Sequence, residues 1–138
     1  MVMWHAEHTL DTSAEPDAVW ARLAEVSTWP EWDVGVTWAE LSGPFSAGSQ
    51  GRMKVRGEGT RSFRLARVEP KTIFTALVRL PFAEIRHTHA QEASAMGTRM
   101  THRIEIHGIL SWLYGWSLGR RLREDLAPSM RRLARLAS

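Results

Sequence analysis

The sequence predicts an α+β domain in which seven strands form one antiparallel sheet and a single long helix at the C-terminus covers one of its faces. Three observations predict it. The periodic segments come in the order strand, two short helices, six strands, one long helix. The later strands are separated by "SGPFSAG", "GEG", "EPKT", "LPF" and "AMG", turn signals too short for crossover helices, so neighbouring strands run antiparallel. In the last segment, about 112–136, Leu118, Leu122, Leu126, Met130 and Leu133 recur at three- and four-residue steps. At 1.5 Å per residue that helix spans roughly 37 Å, enough to cross a whole sheet.

Taken in order, residues 2–10 read as the first strand. "AEPDAVWARLAEV" reads as a helix, with Pro16 and Asp17 suited to its first turn and Val19, Leu23 and Val26 on one stripe. "STWPEWD" reads as a second, very short helix in which Thr28 and Glu31 have capping-box spacing and Pro30 sits early enough to be tolerated. Strands are expected at 35–41, 51–56, 61–68, 72–79, 84–93 and 98–107. Pro128 lies inside the terminal helix and is expected to bend it. Gly115 and Gly119, four residues apart on that helix, each cost about 1 kcal/mol against alanine, which implies close approach to the sheet or to a ligand.

The chain has 138 residues, 24% charged and 43% hydrophobic, which reads as one soluble globular domain over 1–138. It has no cysteine, which excludes disulfides, thiolate nucleophiles and Cys-ligated zinc and fits a cytoplasmic setting. With no run of eighteen apolar residues and no charged-then-apolar leader, neither a membrane span nor a signal peptide is expected. The net charge of +3 owes much to Arg120, Arg121, Arg123, Arg131, Arg132 and Arg135, read as the solvated face of a helix and not as a nucleic-acid or anionic-membrane surface. Seven tryptophans are many for this length; such rings fill a core or line a cavity.

Four of the six histidines fall in "IRHTHAQEASAMGTRMTHRIEIHG", residues 85–108. Side chains alternate across a strand, so Ile85, His87 and His89 share one face, and Met100, His102, Ile104 and Ile106 share the matching face of the next strand. A turn at 95–96 sets Arg86 opposite Glu105, His89 opposite His102 and His87 opposite Ile104. The same alternation puts Phe63, Leu65, Phe74, Ala76 and Val78 inward and Arg64, Thr75 and Arg79 outward. The histidines therefore point under the terminal helix. They are buried imidazoles in a packed wall, a polar rim inside a ligand pocket, or a three-histidine metal centre. The last is disfavoured, because no carboxylate shares their face to orient them, and no metal or other cofactor is expected. An apolar surround keeps them neutral.

The stretches "SAEPDAVWARLAEVSTWPEWDVGV", "LSGPFSAGSQGRMKV" and "GTRMTHRIEIHG", with the long terminal helix, resemble the START-like (SRPBCC) superfamily over nearly the whole chain, and its polyketide cyclase/dehydrase-like branch in particular. The resemblance implies a helix-grip fold, a curved seven-stranded antiparallel sheet wrapped around the C-terminal helix with a deep cavity between them. It also implies an apolar or aromatic small-molecule partner, lipid or polyketide-like, and carries over no universal catalytic residue. The candidate ligand-binding residues are the inward Met53, Phe63, Phe74 and Met100, the histidines His87, His89 and His102, and Ile104, with Trp29 and Trp32 as a lip. The first reading is a binding module. The alternative is a cyclase or dehydratase with a pocket histidine as general acid or base, kept open by Glu31 and Asp33, which follow the tryptophans at the pocket mouth. The oligomeric state is not determined by the sequence.

Overall fold

A computed structural model describes residues 2–138. The chain runs β1 (Val2–Thr12), α1 (Pro16–Ala24), a 3-10 turn (Val26–Thr28), α2 (Trp29–Trp32), β2 (Val36–Ser42), β3 (Gln50–Val55), β4 (Gly59–Glu69), β5 (Ile73–Leu80), β6 (Ala83–Ala93), β7 (Thr98–His107) and α3 (Ser111–Ala137). The seven strands make one antiparallel sheet in the order β1-β7-β6-β5-β4-β3-β2. Strands β2 to β7 are the meander that the short turns predict. β1 docks on β7, and α1 and α2 carry the chain from one edge of the sheet to the other. Register shifts at Leu65/Arg67 in β4 and at Val36/Trp38 in β2 mark bulges, which bend a strand and strengthen its twist. α3 packs against β1, β7 and both short helices. This is the helix-grip architecture. No helix is long and apolar enough to cross a membrane among the described residues.

The face assignment follows from alternation. Phe63, Leu65, Phe74, Ala76, Val78 and Ile104 are all buried, and the core continues into Leu126, Met130 and Leu133 of α3. His89 pairs with His102 and His87 with Ile104, and Arg86 stands opposite Glu105. The expected Arg86–Glu105 ion pair does not form. Arg86 reaches Glu84 at 2.8 Å and Glu105 is met by Arg103 at 3.4 Å, because each has an opposite charge two residues away on its own strand face. The capping box is also absent. Thr28 donates to the Glu25 carbonyl at 2.7 Å, and Glu31 pairs with Arg22 at 3.3 Å. A single-turn helix entered from a 3-10 turn already directs Thr28 backwards.

α3 continues through Pro128, which removes one donor from its ladder without ending it. The two glycines have a packing cause. The indole of Trp4 lies across them, and a Cβ on Gly119 would sit 2.5 Å from Trp4 Nε1 and 2.8 Å from its Cε2. Arg123 covers the same ring, its guanidinium carbon 5.3 Å from the centroid. Gly119→Ala is therefore expected to destabilise by about 1–3 kcal/mol through overpacking. An unobstructed helical glycine would instead be stabilised by about 1 kcal/mol on becoming alanine. The sign of the shift in the urea midpoint decides between them.

Candidate functional site

Between the inward sheet face, α2 and α3 lies a cavity of about 80 Å³. The β4–β6 wall contributes Phe63, Ala76, Val78, Ile85, His87 and His89, and β7 contributes His102 and Ile104. Met53 and Val55 come from β3, Trp29 and Trp32 from α2, and Leu122 and Leu126 from α3. Eight of the ten candidate residues thus line one space. Phe74 and Met100 do not. Phe74 is buried in an aromatic cluster with Trp20, Trp29 and Phe45, and Met100 is buried in the core away from the cavity. The volume is also well below the roughly 300–1,000 Å³ of occupied ligand pockets. The inward side chains that pattern the sheet are large enough to fill most of the space beneath α3.

The histidines close one end of an aromatic column. Trp29 stacks on Phe74 at 6.0 Å, Phe74 on His89 at 4.8 Å, and His89 on His102 at 3.7 Å between centroids. Trp32 meets His89 edge-on at 5.5 Å. His87 Nδ1 and His102 Nε2 lie 3.3 Å apart, within reach of a hydrogen bond in which one imidazole donates to the other. Burial pushes His87 down to about 4. Burial, aided by repulsion from His87, pushes His89 down to about 3. Burial and the two neighbouring imidazoles lower His102 as well. All three are neutral at pH 7, so they are wall and cavity lining together. No group of three potential metal ligands gathers among the described residues.

The cavity holds more polarity than the inward strand positions suggested. Asp33, at the C-terminal cap of α2, lines it, accepts the Gly35 N–H at Oδ1 (3.0 Å) and is raised to about 6, chiefly by burial and further by Asp125. Asp125 is raised by burial against the pull of Arg56 and Arg121. No carboxylate shares the histidines' strand face; the cavity's acids come from α2 and α3, and of the two acids expected at the pocket mouth Asp33 is the one that lines it. Glu31 stays exposed and takes no part. At the mouth, Arg121 bonds to the Glu58 carboxylate and donates to the Arg56 carbonyl at 3.0 Å, and Arg61 approaches Glu58 at 3.4 Å. These bonds tie the β3–β4 turn to α3. Ser129 accepts the Val34 N–H at 3.1 Å and ties down the other side. Three buried lining atoms have no protein partner: Trp32 Nε1, His102 Nδ1 and Arg61 Nε.

The sequence held one signal for these groups. Arg121, Asp125 and Ser129 recur every four residues beside the Leu118, Leu122, Leu126 stripe, a polar row at the edge of a buried face.

Comparison with known proteins places this geometry. Solved structures of like fold include protein NE0264 from Nitrosomonas europaea, at TM-score 0.76 and 13% identity over 96% of this chain and 92% of that one. Norcoclaurine synthase from Thalictrum flavum matches at TM-score 0.74 and 14% identity over 96% and 92%. The di-domain ARO/CYC StfQ of the steffimycin biosynthetic pathway matches at TM-score 0.77 and 16% identity over 96% of this chain and 50% of StfQ, so the chain spans about half its length. No curated protein matches the sequence. A sequence model of one family, described as polyketide cyclase / dehydrase and lipid transport, matches residues 3–138, and the chain belongs to that family within the START-like (SRPBCC) superfamily.

Proposed function

We propose that the protein binds one apolar, ring-containing molecule that carries a hydrogen-bonding oxygen, in the cavity beneath α3. The observation that carries this reading is the lining. Trp29, Met53, Phe63, Ala76, Val78 and Ile104 offer an apolar enclosure, and two further lining residues, Trp32 and His102, each bury a ring nitrogen, Nε1 and Nδ1, without a partner. A buried polar group left unpaired costs about 1–3 kcal/mol, which a ligand oxygen would recover at Trp32. His87, His89 and His102, being neutral, would serve as donors or acceptors and not as counter-ions. A cavity of about 80 Å³ is closed to a ring; a cavity of roughly 150 Å³ is known to take benzene. Entry therefore requires the enclosure to open, and the Arg121–Glu58 link between α3 and the β3–β4 turn is the contact that releases in this reading. Polyketide cyclases and dehydrases of the family, StfQ and norcoclaurine synthase support small-molecule chemistry in this fold.

Tryptophan fluorescence measured against 2-naphthol tests the reading. Wild type is expected to quench with a stoichiometry near one. Ala76→Phe, which fills the cavity from its wall, is expected to weaken binding by roughly tenfold or more with the fold retained. Absence of wild-type quenching, or an Ala76→Phe variant that binds as well as wild type, would overturn it.

A second reading rests on Asp33. A carboxyl raised to about 6, in a cavity shared with imidazoles held neutral, has the affinity for a proton that general acid–base catalysis needs near pH 7. In this reading Asp33, and not a histidine, exchanges the proton in a cyclisation or dehydration, and the histidines orient the substrate.

A further inference from the structure

The cavity leaves one group of side chains unexplained. Phe82, Ile109, Trp112 and Trp116 are 73%, 80%, 60% and 82% exposed, four of the six large hydrophobic residues that face solvent among the described residues. Phe82 is distant in sequence from the other three, and the fold brings it beside them. Leu110 N donates to the Phe82 carbonyl at 3.1 Å, and Tyr114 donates to the Pro81 carbonyl at 3.1 Å, so the β5–β6 turn is fixed to the first turn of α3. Phe82 is held at φ +58°, in the left-handed region that a bulky residue rarely adopts. A conformation of that kind, spent on presenting an aromatic ring to water, calls for a partner.

The same face of α3 continues as cation. At 3.6 residues per turn, Trp112, Trp116, Arg120 and Arg123 fall within a sector of about 80°. Trp116 is followed one turn later by Arg120, which is exposed, and Arg123 covers Trp4 with its guanidinium outward of the sheet edge. On this face the charge is carried by Arg120, which also pairs with Glu124 at 2.9 Å, and by Arg123. Tryptophan prefers the boundary between water and hydrocarbon, where its ring is buried and its N–H stays wet. Arginine beside it selects anionic headgroups.

We propose that this end of the molecule, the β5–β6 turn with α3 from Trp112 to Arg123, docks on the surface of an anionic lipid bilayer. The surface adds to the cavity and does not depend on it. A second copy of the chain is the rival occupant of this stripe, and the oligomeric state in solution separates the two. Docking of this kind lies on the membrane and does not span it, in keeping with an α3 too polar to cross.

Co-sedimentation with vesicles tests it, using phosphatidylcholine alone and phosphatidylcholine with 30% phosphatidylglycerol (roughly the anionic load that attracts basic segments). Wild type is expected to partition onto the anionic vesicles with a blue shift of tryptophan emission, and to be released by raised salt. Trp112→Ser/Trp116→Ser, at exposed positions where the fold is indifferent, is expected to lose roughly tenfold in partition, with its circular dichroism unchanged. Arg120→Glu is expected to weaken binding to the anionic vesicles alone. No partition of wild type, partition equal on both vesicle types, or partition unaffected by the double substitution would overturn the proposal. So would a wild type that is dimeric in solution and becomes monomeric in the double variant without any change in vesicle binding.

Discussion

Lowering the pH from 7 to 4 is expected to unfold the protein steeply, with the free energy falling by about 3 kcal/mol per pH unit below pH 6. The three inward histidines set the direction. Their native affinities for a proton are depressed, to about 4 for His87 and about 3 for His89, with His102 also lowered. The unfolded chain takes up those protons near 6.5. Between 6.5 and about 4 the unfolded state therefore holds three more, and acid favours it. Asp33 has the opposite sign. Raised to about 6 from 3.8, it holds a proton in the native state that the unfolded state has released, so it opposes acid unfolding between those values. The net is about two protons, or about 3 kcal/mol per unit, against a typical stability of about 5–15 kcal/mol. Thermal midpoints measured from pH 7.5 to 4.5 should show this slope. His89→Phe keeps the stack on Phe74 and should remove about one proton from it. An unaltered slope in that variant would mean that the imidazoles are not held neutral by burial.

How far the sequence carried this reading depends on period. Where side chains alternate, the register of β6 against β7 and the inward set from Phe63 to Ile104 follow directly, because a slip of one residue would turn every core side chain outward. Where the chain is helical, the stripe from Leu118 to Leu133 fixed the buried face. Asp33 belongs to neither pattern. It caps a one-turn helix, and only the crossing of α2 over β2 and α3 decides that it faces the cavity. The size of the cavity was illegible for a different reason. Alternation says which residues face inward, but the space they leave depends on how Phe74 and His89 stack. Side-chain contacts across a known register were equally out of reach, since Arg86 had two carboxylates within reach and took Glu84.

Asp33→Asn is expected to stabilise the protein at pH 7.5 by up to about 3 kcal/mol and to leave the fold and the affinity for 2-naphthol unchanged. A carboxyl raised from 3.8 to about 6 is ionised at pH 7.5 in a site that resists its charge. That penalty is absent below about 3.8, grows as the pH rises through the interval, and is complete above about 6. The amide has the same shape, and its oxygen can still accept the Gly35 N–H. It removes the charge, and with it the repulsion from Asp125. Urea denaturation at pH 7.5 and at pH 5 should therefore show a gain that shrinks by about half at the lower pH, where the wild-type acid is largely protonated. An acid that lowers stability and is not needed for binding is there for another purpose, and proton transfer to the cavity's occupant is the one its altered affinity suits. A variant that is less stable than wild type at both pH values would make Asp33 a structural cap of α2, and the catalytic reading would fall while the binding reading stood.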